Sequence, residues 1–293
     1  MKKKLNVVAL VAFIFILILV VFIGIALVTN KDEEGNVVSY AINMENFKGF
    51  IDMPSLAMVV GGTIAAMIFS FPTNVLKDVP KMIGMVFLPK KFEPKKYIEQ
   101  MVEYCKVARL KGILQLEESA NECTDPFMKS ALMLIVDAND SEKVQAMLDD
   151  SIDFMCERHE ANISIWLKAS STAPAFGMIG TLVGLINMLA SLDPTDPDSA
   201  ASLGANMSVA LVTTFYGCIL AHCMFNPVAN QLKYYHNKEL LCMQIVEEGA
   251  LAIISGANPR YVQEKLEMML SQVQLNGKKG KKGEAASEEK SKK

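Results

Sequence analysis

Two hydroxyl-bearing residues, Thr181 and Thr214, sit in the middle of two stretches that carry no Asp, Glu, Lys or Arg. Thr181 lies in residues 172–192, TAPAFGMIGTLVGLINMLASL. Thr214 lies in residues 203–226, LGANMSVALVTTFYGCILAHCMFN. A hydroxyl oxygen can serve as a ligand for a hard cation. The ordinary role of a membrane Ser or Thr is to bond its own i−4 carbonyl, and spacing alone favours that role. Each stretch also has a proline: Pro174 near the start of the first, Pro227 just past the end of the second. A membrane proline frees a backbone carbonyl and either kinks its helix or serves as a hinge. Arg109 and Glu117 are eight residues apart. On one helix that is roughly two turns, so they would project near one another. A solvated charged face is the common explanation, and a docking surface for a charged protein partner is the sharper one.

What the two stretches lack narrows the chemistry. No charged side chain stands in the body of either, with Lys168 only at a boundary. A charge at the bilayer centre costs at least ~2.5–3.5 kcal/mol, so membrane proteins keep one only for a job. A chain without one is not a proton relay by itself. If it conducts a cation, another subunit brings the carboxylate. The positions are spent instead on small residues. Gly180 and Gly184 form a GxxxG, and Ala173, Gly177 and Thr181 continue a small face suited to close helix packing. His222 is flanked by apolar residues and reads as packed rather than catalytic. There is no nucleophile–base set, metal cluster or phosphate loop, so no enzyme and no cofactor are expected. The cysteines at 105, 123, 156, 218, 223 and 242 form no CxxC and read as free thiols.

The chain around these stretches is 293 residues long and 51% hydrophobic, with the apolar residues in blocks. Blocks of that kind indicate membrane spans. Residues 1–28 form a first span, too long for a signal core and without a small-residue cleavage pattern. Residues 29–54 are an acidic outer loop, with a short strand or hairpin near Val37–Ile42. Residues 55–76 are a second span, which Pro72 should bend or stop. Residues 77–165 form an inner helical domain. It begins with a basic, apolar helix at the membrane surface. In residues 93–119, apolar positions recur at three- and four-residue spacing, one face of a helix. Asp125 opens another helix, and a long one starts at Asp140 or Ser141 and runs on into the third span, 166–192. Residues 193–202 are a tight acidic turn and 203–227 the fourth span. Residues 228–275 are inner helices, and the Lys-rich residues 276–293 are expected to be disordered. The fold class is therefore an all-α membrane protein with four transmembrane helices. A cytoplasmic helical domain lies between spans two and three, and a cytoplasmic helix follows span four. Of the 29 Lys and Arg residues, 27 fall on one side of that topology. The positive-inside rule places that side, with both termini, in the cytoplasm. The net charge of −3 says little about partners; the expected partner surface is the membrane, and no nucleic acid is expected.

Six segments then carry a family resemblance. APAFGMIGTLVGL (173–185), VALVTTFYG (209–217), FNPVANQL (225–232), GANPR (256–260), DMPSLAMVVGGT (52–63) and ARLKGILQLEE (108–118) closely resemble flagellar stator subunits of the MotA type. These include the sodium-driven PomA form and belong to the wider MotA/TolQ/ExbB group. The resemblance runs from about residue 52 to 270. It implies a homo-oligomeric ring, a pentamer, in a bacterial inner membrane, around two copies of a MotB-like single-span subunit whose aspartate binds the ion. It implies that Pro174 and Pro227 are the functional prolines. Arg109 and Glu117 become the charged pair that engages the rotor protein FliG. Thr181 and Thr214 become hydroxyls of the ion pathway, with H+ or Na+ transported rather than held. The long acidic outer loop, the first span and the Lys-rich tail depart from the family pattern. A TolQ/ExbB-type energiser of envelope processes and a non-conducting membrane scaffold are the alternatives.

Overall fold

The computed structural model describes residues 27–31, 37–42, 49–87, 92–137, 140–192 and 199–270. Most of the expected first span, most of the acidic turn and the whole Lys-rich tail lie outside the described residues. Leu27 and Val28 were expected to end the first span. Instead they open β1 (Leu27–Lys31), which pairs antiparallel with β2 (Val37–Ile42), Leu27 opposite Ile42. β-branched Val28 and Thr29 favour a strand over continued helix.

Two compact units divide the chain: residues 1–90 with 160–233, and 91–159 with 234–293. In the first unit, α1 (Met53–Ser70) starts at Asp52, whose carboxylate accepts from Ser55 N at 2.9 Å, with Pro54 in the first turn. It ends before Pro72, so the expected second span is broken there, and α2 (Thr73–Leu76) and α3 (Val79–Phe87) follow. Trp166, Met82, Val86, Ile163 and Leu232 form a small buried cluster, in which the Trp166 indole N–H donates to Met82 Sδ at 3.2 Å. Trp166 belongs to α7 (Ser141–Ala190), a single 50-residue helix with Pro174 inside it. Then come α8 (Ser199–Ile219), a π-helical turn (Leu220–Phe225) and α9 (Asn226–Ile254). Pro227, the expected end of the fourth span, does not break the helix, which continues on both sides of it through the widened turn. Among the described residues, three helical stretches are long and apolar enough to cross a membrane: Met53–Ser70, Ser141–Ala190 and Leu203–Ile254.

The second unit is built on large apolar side chains. It comprises α4 (Pro94–Lys111), α5 (Leu116–Glu122), α6 (Pro126–Asp137), parts of α7 and α9, and α10 (Pro259–Met268). Met101, Leu116, Met128, Leu132, Leu148, Ile245 and Leu266 share one fully buried core. Asp125 caps α6 by accepting from Phe127 N and Met128 N at 3.0 and 3.1 Å, and it also accepts from Tyr97 Oη at 2.5 Å. Burial, followed by that carboxylate, pushes the Tyr97 phenol up. The segment GANPR is a helix stop and a helix start in five residues. Gly256 takes φ +67, Gly256 N donates to Ile253 O, and Ala257 N donates to Ala252 O, which closes α9 in a Schellman turn. Asn258 then caps α10 by accepting from Arg260 N at 3.0 Å, with Pro259 next.

Candidate functional site: a neutral interhelical wall

The small face of α7 is packed against α8. A β-carbon on Gly177 would lie 3.1 Å from Thr213 O and 3.2 Å from Thr214 Cα. One on Gly180 would overlap Thr213 Cβ at 2.6 Å, and one on Gly184 would meet Ala210 Cβ at 2.8 Å. From the other side, a β-carbon on Gly217 would meet Ala173 O at 2.8 Å and Pro174 Cα at 3.1 Å. Two backbones can approach this closely only where glycine leaves room on at least one side of the crossing. The GxxxG of residues 180–184 is therefore used within the chain.

That approach brings Thr181 and Thr214 together. Their Oγ1 atoms are 2.5 Å apart. Thr181 Oγ1 also lies 3.2 Å from Gly177 O and 3.1 Å from Ala210 O, and Thr214 Oγ1 is 3.4 Å from each of the same two carbonyls. Two hydroxyls and two carbonyl oxygens thus converge, half-buried, with no charged side chain among them. A hydroxyl has one proton to donate and lone pairs to accept. One threonine can donate to the other while the second donates to a carbonyl. Each hydroxyl therefore lies within reach of a carbonyl of its own helix and of the hydroxyl across the contact. A hydroxyl in this arrangement can offer a lone pair to a cation or a proton to a carboxylate.

Pro174 lies one turn before Gly177, against Gly217. Pro227 lies just beyond the π turn, in which Asn226 N donates to Ala221 O, five residues back. A proline ring clashes with the carbonyl four residues earlier, here Cys223, and a widened turn relieves that clash. His222 stands in this turn, exposed rather than packed as expected. Tyr216 is a further residue that the reading of the chain did not single out. Its hydroxyl donates to Phe50 O and accepts from Asp52 N at 3.2 Å, which ties the start of α1 to α8. Phe50 and Phe215 meet edge to face at 5.5 Å. The signal for Tyr216 was one aromatic with a polar tip in an apolar run, which in lipid needs a partner.

Arg109 and Glu117 belong to the other unit and do not share a helix. α4 stops at Lys111, Gly112 takes φ +91, and a 3-10 turn at Ile113–Gln115 leads into α5. The expected two-turn relation, and the single helix over 93–119, are corrected by that break. Both side chains are exposed, and among the described residues no ion pair joins them.

Comparison with known proteins identifies the architecture. Residues 119–245 match the model of the MotA/TolQ/ExbB proton channel family. Motility protein A of Borreliella burgdorferi is 35% identical over 80% of this chain and 88% of its own length. The chain belongs to the MotA/TolQ/ExbB proton channel family. Its relatives there include the chemotaxis protein PomA of Vibrio alginolyticus, 37% identical over 76% of this chain and 85% of that protein. Another is the uncharacterized protein YtxD of Bacillus subtilis, 39% identical over 76% and 80%. The flagellar MotAB stator complex from Bacillus subtilis is a structural neighbour, with a TM-score of 0.70 at 30% identity over 77% of this chain and 87% of that one. The C. jejuni MotAB structure shares the fold, with a TM-score of 0.76 at 24% identity over 90% and 96%. Family membership and the three apolar stretches together make this a membrane protein.

Proposed function

We infer that this chain is a stator subunit of the flagellar motor. With a MotB-like partner it forms a channel that converts ion-motive force into torque. The observation that carries this reading is the uncharged wall of α7 and α8, in a chain 35–37% identical to motility proteins over most of their length. The wall has hydroxyls and no carboxylate, so the missing negative group comes from a single-span partner. Several copies of this chain surround that partner as a ring, a pentamer, in the bacterial inner membrane. Four spans with both termini in the cytoplasm fit the distribution of basic residues. The partner's aspartate takes up a proton or sodium ion beside Thr181 and Thr214. Neutralising it changes its preferred contact with the ring, and the ring steps. Each unit charge that crosses supplies ~2.3 kcal/mol per 100 mV. Pro174 and Pro227 give the two helices the compliance that the step needs. Arg109 and Glu117, exposed around the Gly112 break, present opposite charges to the rotor protein FliG. Motility of a strain that lacks this subunit tests the reading. The wild-type chain restores swimming, and Pro174→Leu inserts normally but does not. Full swimming with Pro174→Leu would remove the proline from the mechanism.

A further inference from the structure

Ser170 stands one turn before Pro174, so its carbonyl is the group to which a helical residue 174 would donate and a proline cannot. Its hydroxyl does something its neighbours' hydroxyls do not. Ser171 and Thr172 both donate to Lys168 O on their own helix, at 2.9 and 2.7 Å, and Thr63 likewise donates to Val59 O at 2.6 Å. That is how membrane hydroxyls ordinarily satisfy themselves. Ser170 Oγ instead crosses to another element and donates to Ala221 O at 3.2 Å. Ala221 is fully buried, and its carbonyl is the acceptor of the π-type bond from Asn226 N, the residue before Pro227. One residue thus touches both proline-disturbed turns, with its backbone in the turn of Pro174 and its side chain on the turn of Pro227. Between them, Gly217 lets the backbones meet, since a β-carbon there would lie 2.8 Å from Ala173 O and 3.1 Å from Pro174 Cα.

We propose that Ser170 is a positioning residue that clasps the Pro174 turn to the π turn before Pro227, so that the two hinges move as one. This rests on the stator reading for its consequence in motility, but not for the clasp itself. The hydroxyl gives Ala221 O a second donor and so holds the widened turn open in one register. Without it, the π turn is free to migrate or close while Pro174 stays where it is, and strain entering at one proline is no longer delivered to the other.

The test compares Ser170→Ala with Ser170→Thr, which keeps a hydroxyl, in the full chain co-expressed with its partner. Backbone amide exchange of the purified complex reads the clasp directly. The amides of residues 222–226 exchange about fivefold faster in Ser170→Ala, the loss expected from one hydrogen bond, and return toward wild type in Ser170→Thr. Swimming speed falls with Ser170→Ala at unchanged membrane levels and recovers with Ser170→Thr. Unchanged exchange in Ser170→Ala overturns the clasp whatever the cells do. Faster exchange with full swimming speed overturns the coupling of the hinges. Faster exchange, with wild-type chain that itself fails to restore swimming, contradicts the stator reading and leaves the clasp standing.

Discussion

The α7–α8 contact and the core of the second unit are two solutions to the same problem of joining helices. The first uses residues with almost no side chain: Gly177, Gly180, Gly184, Ala210 and Gly217. The second uses Met101, Leu116, Leu132, Leu148 and Ile245, all excluded from solvent. In water, burying a large apolar side chain contributes roughly 1.5–3 kcal/mol, so bulk is the means of attachment. Between membrane helices that driving force is absent, and attachment comes from close packing and hydrogen bonds. The outward side chains of α7 show where the bulk went. Leu182, Ile186 and Leu189 are 60–67% exposed, on the far side from the contact. The difference teaches how helices can be held together without bulk. Backbones in contact fix the distance between the helices. The same closeness brings two hydroxyls and two carbonyls to one place without any charge being buried.

The comparison breaks most visibly if a side chain is added to the first region. Gly180→Val places methyl groups where Thr213 already stands, its β-carbon alone overlapping Thr213 Cβ at 2.6 Å. The helices must separate, the Thr181–Thr214 contact is lost, and motility and recovery of the intact complex by size exclusion both collapse. Taking carbon away should harm only the second region. Leu132→Ala leaves a cavity in the fully buried core and costs about 2–5 kcal/mol, read as a lower melting temperature of the complex. A Gly180→Val complex that assembles and turns normally, or a neutral Leu132→Ala, would erase the distinction.

The smallest effect concerns charge, which the second unit tolerates and the wall does not contain. Burial, and then a hydrogen bond with Asp149, pushes Glu247 up to about 7. The folded chain therefore holds a proton there that the unfolded chain releases near the ordinary value of 4.5. The stability this contributes is complete below about pH 4.5 and is lost as pH rises through about 7. Glu247→Gln removes the loss. Its melting temperature matches wild type at pH 4 and lies a little above it at pH 8. A variant less stable than wild type at pH 8 would contradict the shared proton.

Much of this was legible in the chain because membrane helices advertise themselves by composition and small faces by period. Ala173, Gly177, Gly180, Thr181 and Gly184 recur at three- and four-residue spacing, and that spacing survives into the structure because α7 is regular there. The partner face, residues 210 to 217, was not paired with it, since spacing within one helix carries no information about the register of another. The relation of Arg109 to Glu117 was misread because apolar periodicity runs on through Ile113 and Leu116. A single glycine with positive φ undoes the helical spacing without disturbing that pattern. Proline usually interrupts a helix, and the sequence around Pro227 does not show that a widened turn carries the helix past it. The hydroxyl that meets its π turn comes from Ser170, 51 residues away in sequence.

Reconstitution in liposomes tests the central claim most directly. The account predicts that this chain alone leaves an imposed proton or sodium gradient intact. It also predicts that the chain with a single-span, aspartate-bearing partner dissipates the gradient, and that replacing that aspartate with alanine restores tightness. A gradient that collapses with this chain alone would mean that the wall is itself a conductor, and the division of labour between a neutral wall and a charged partner would fall.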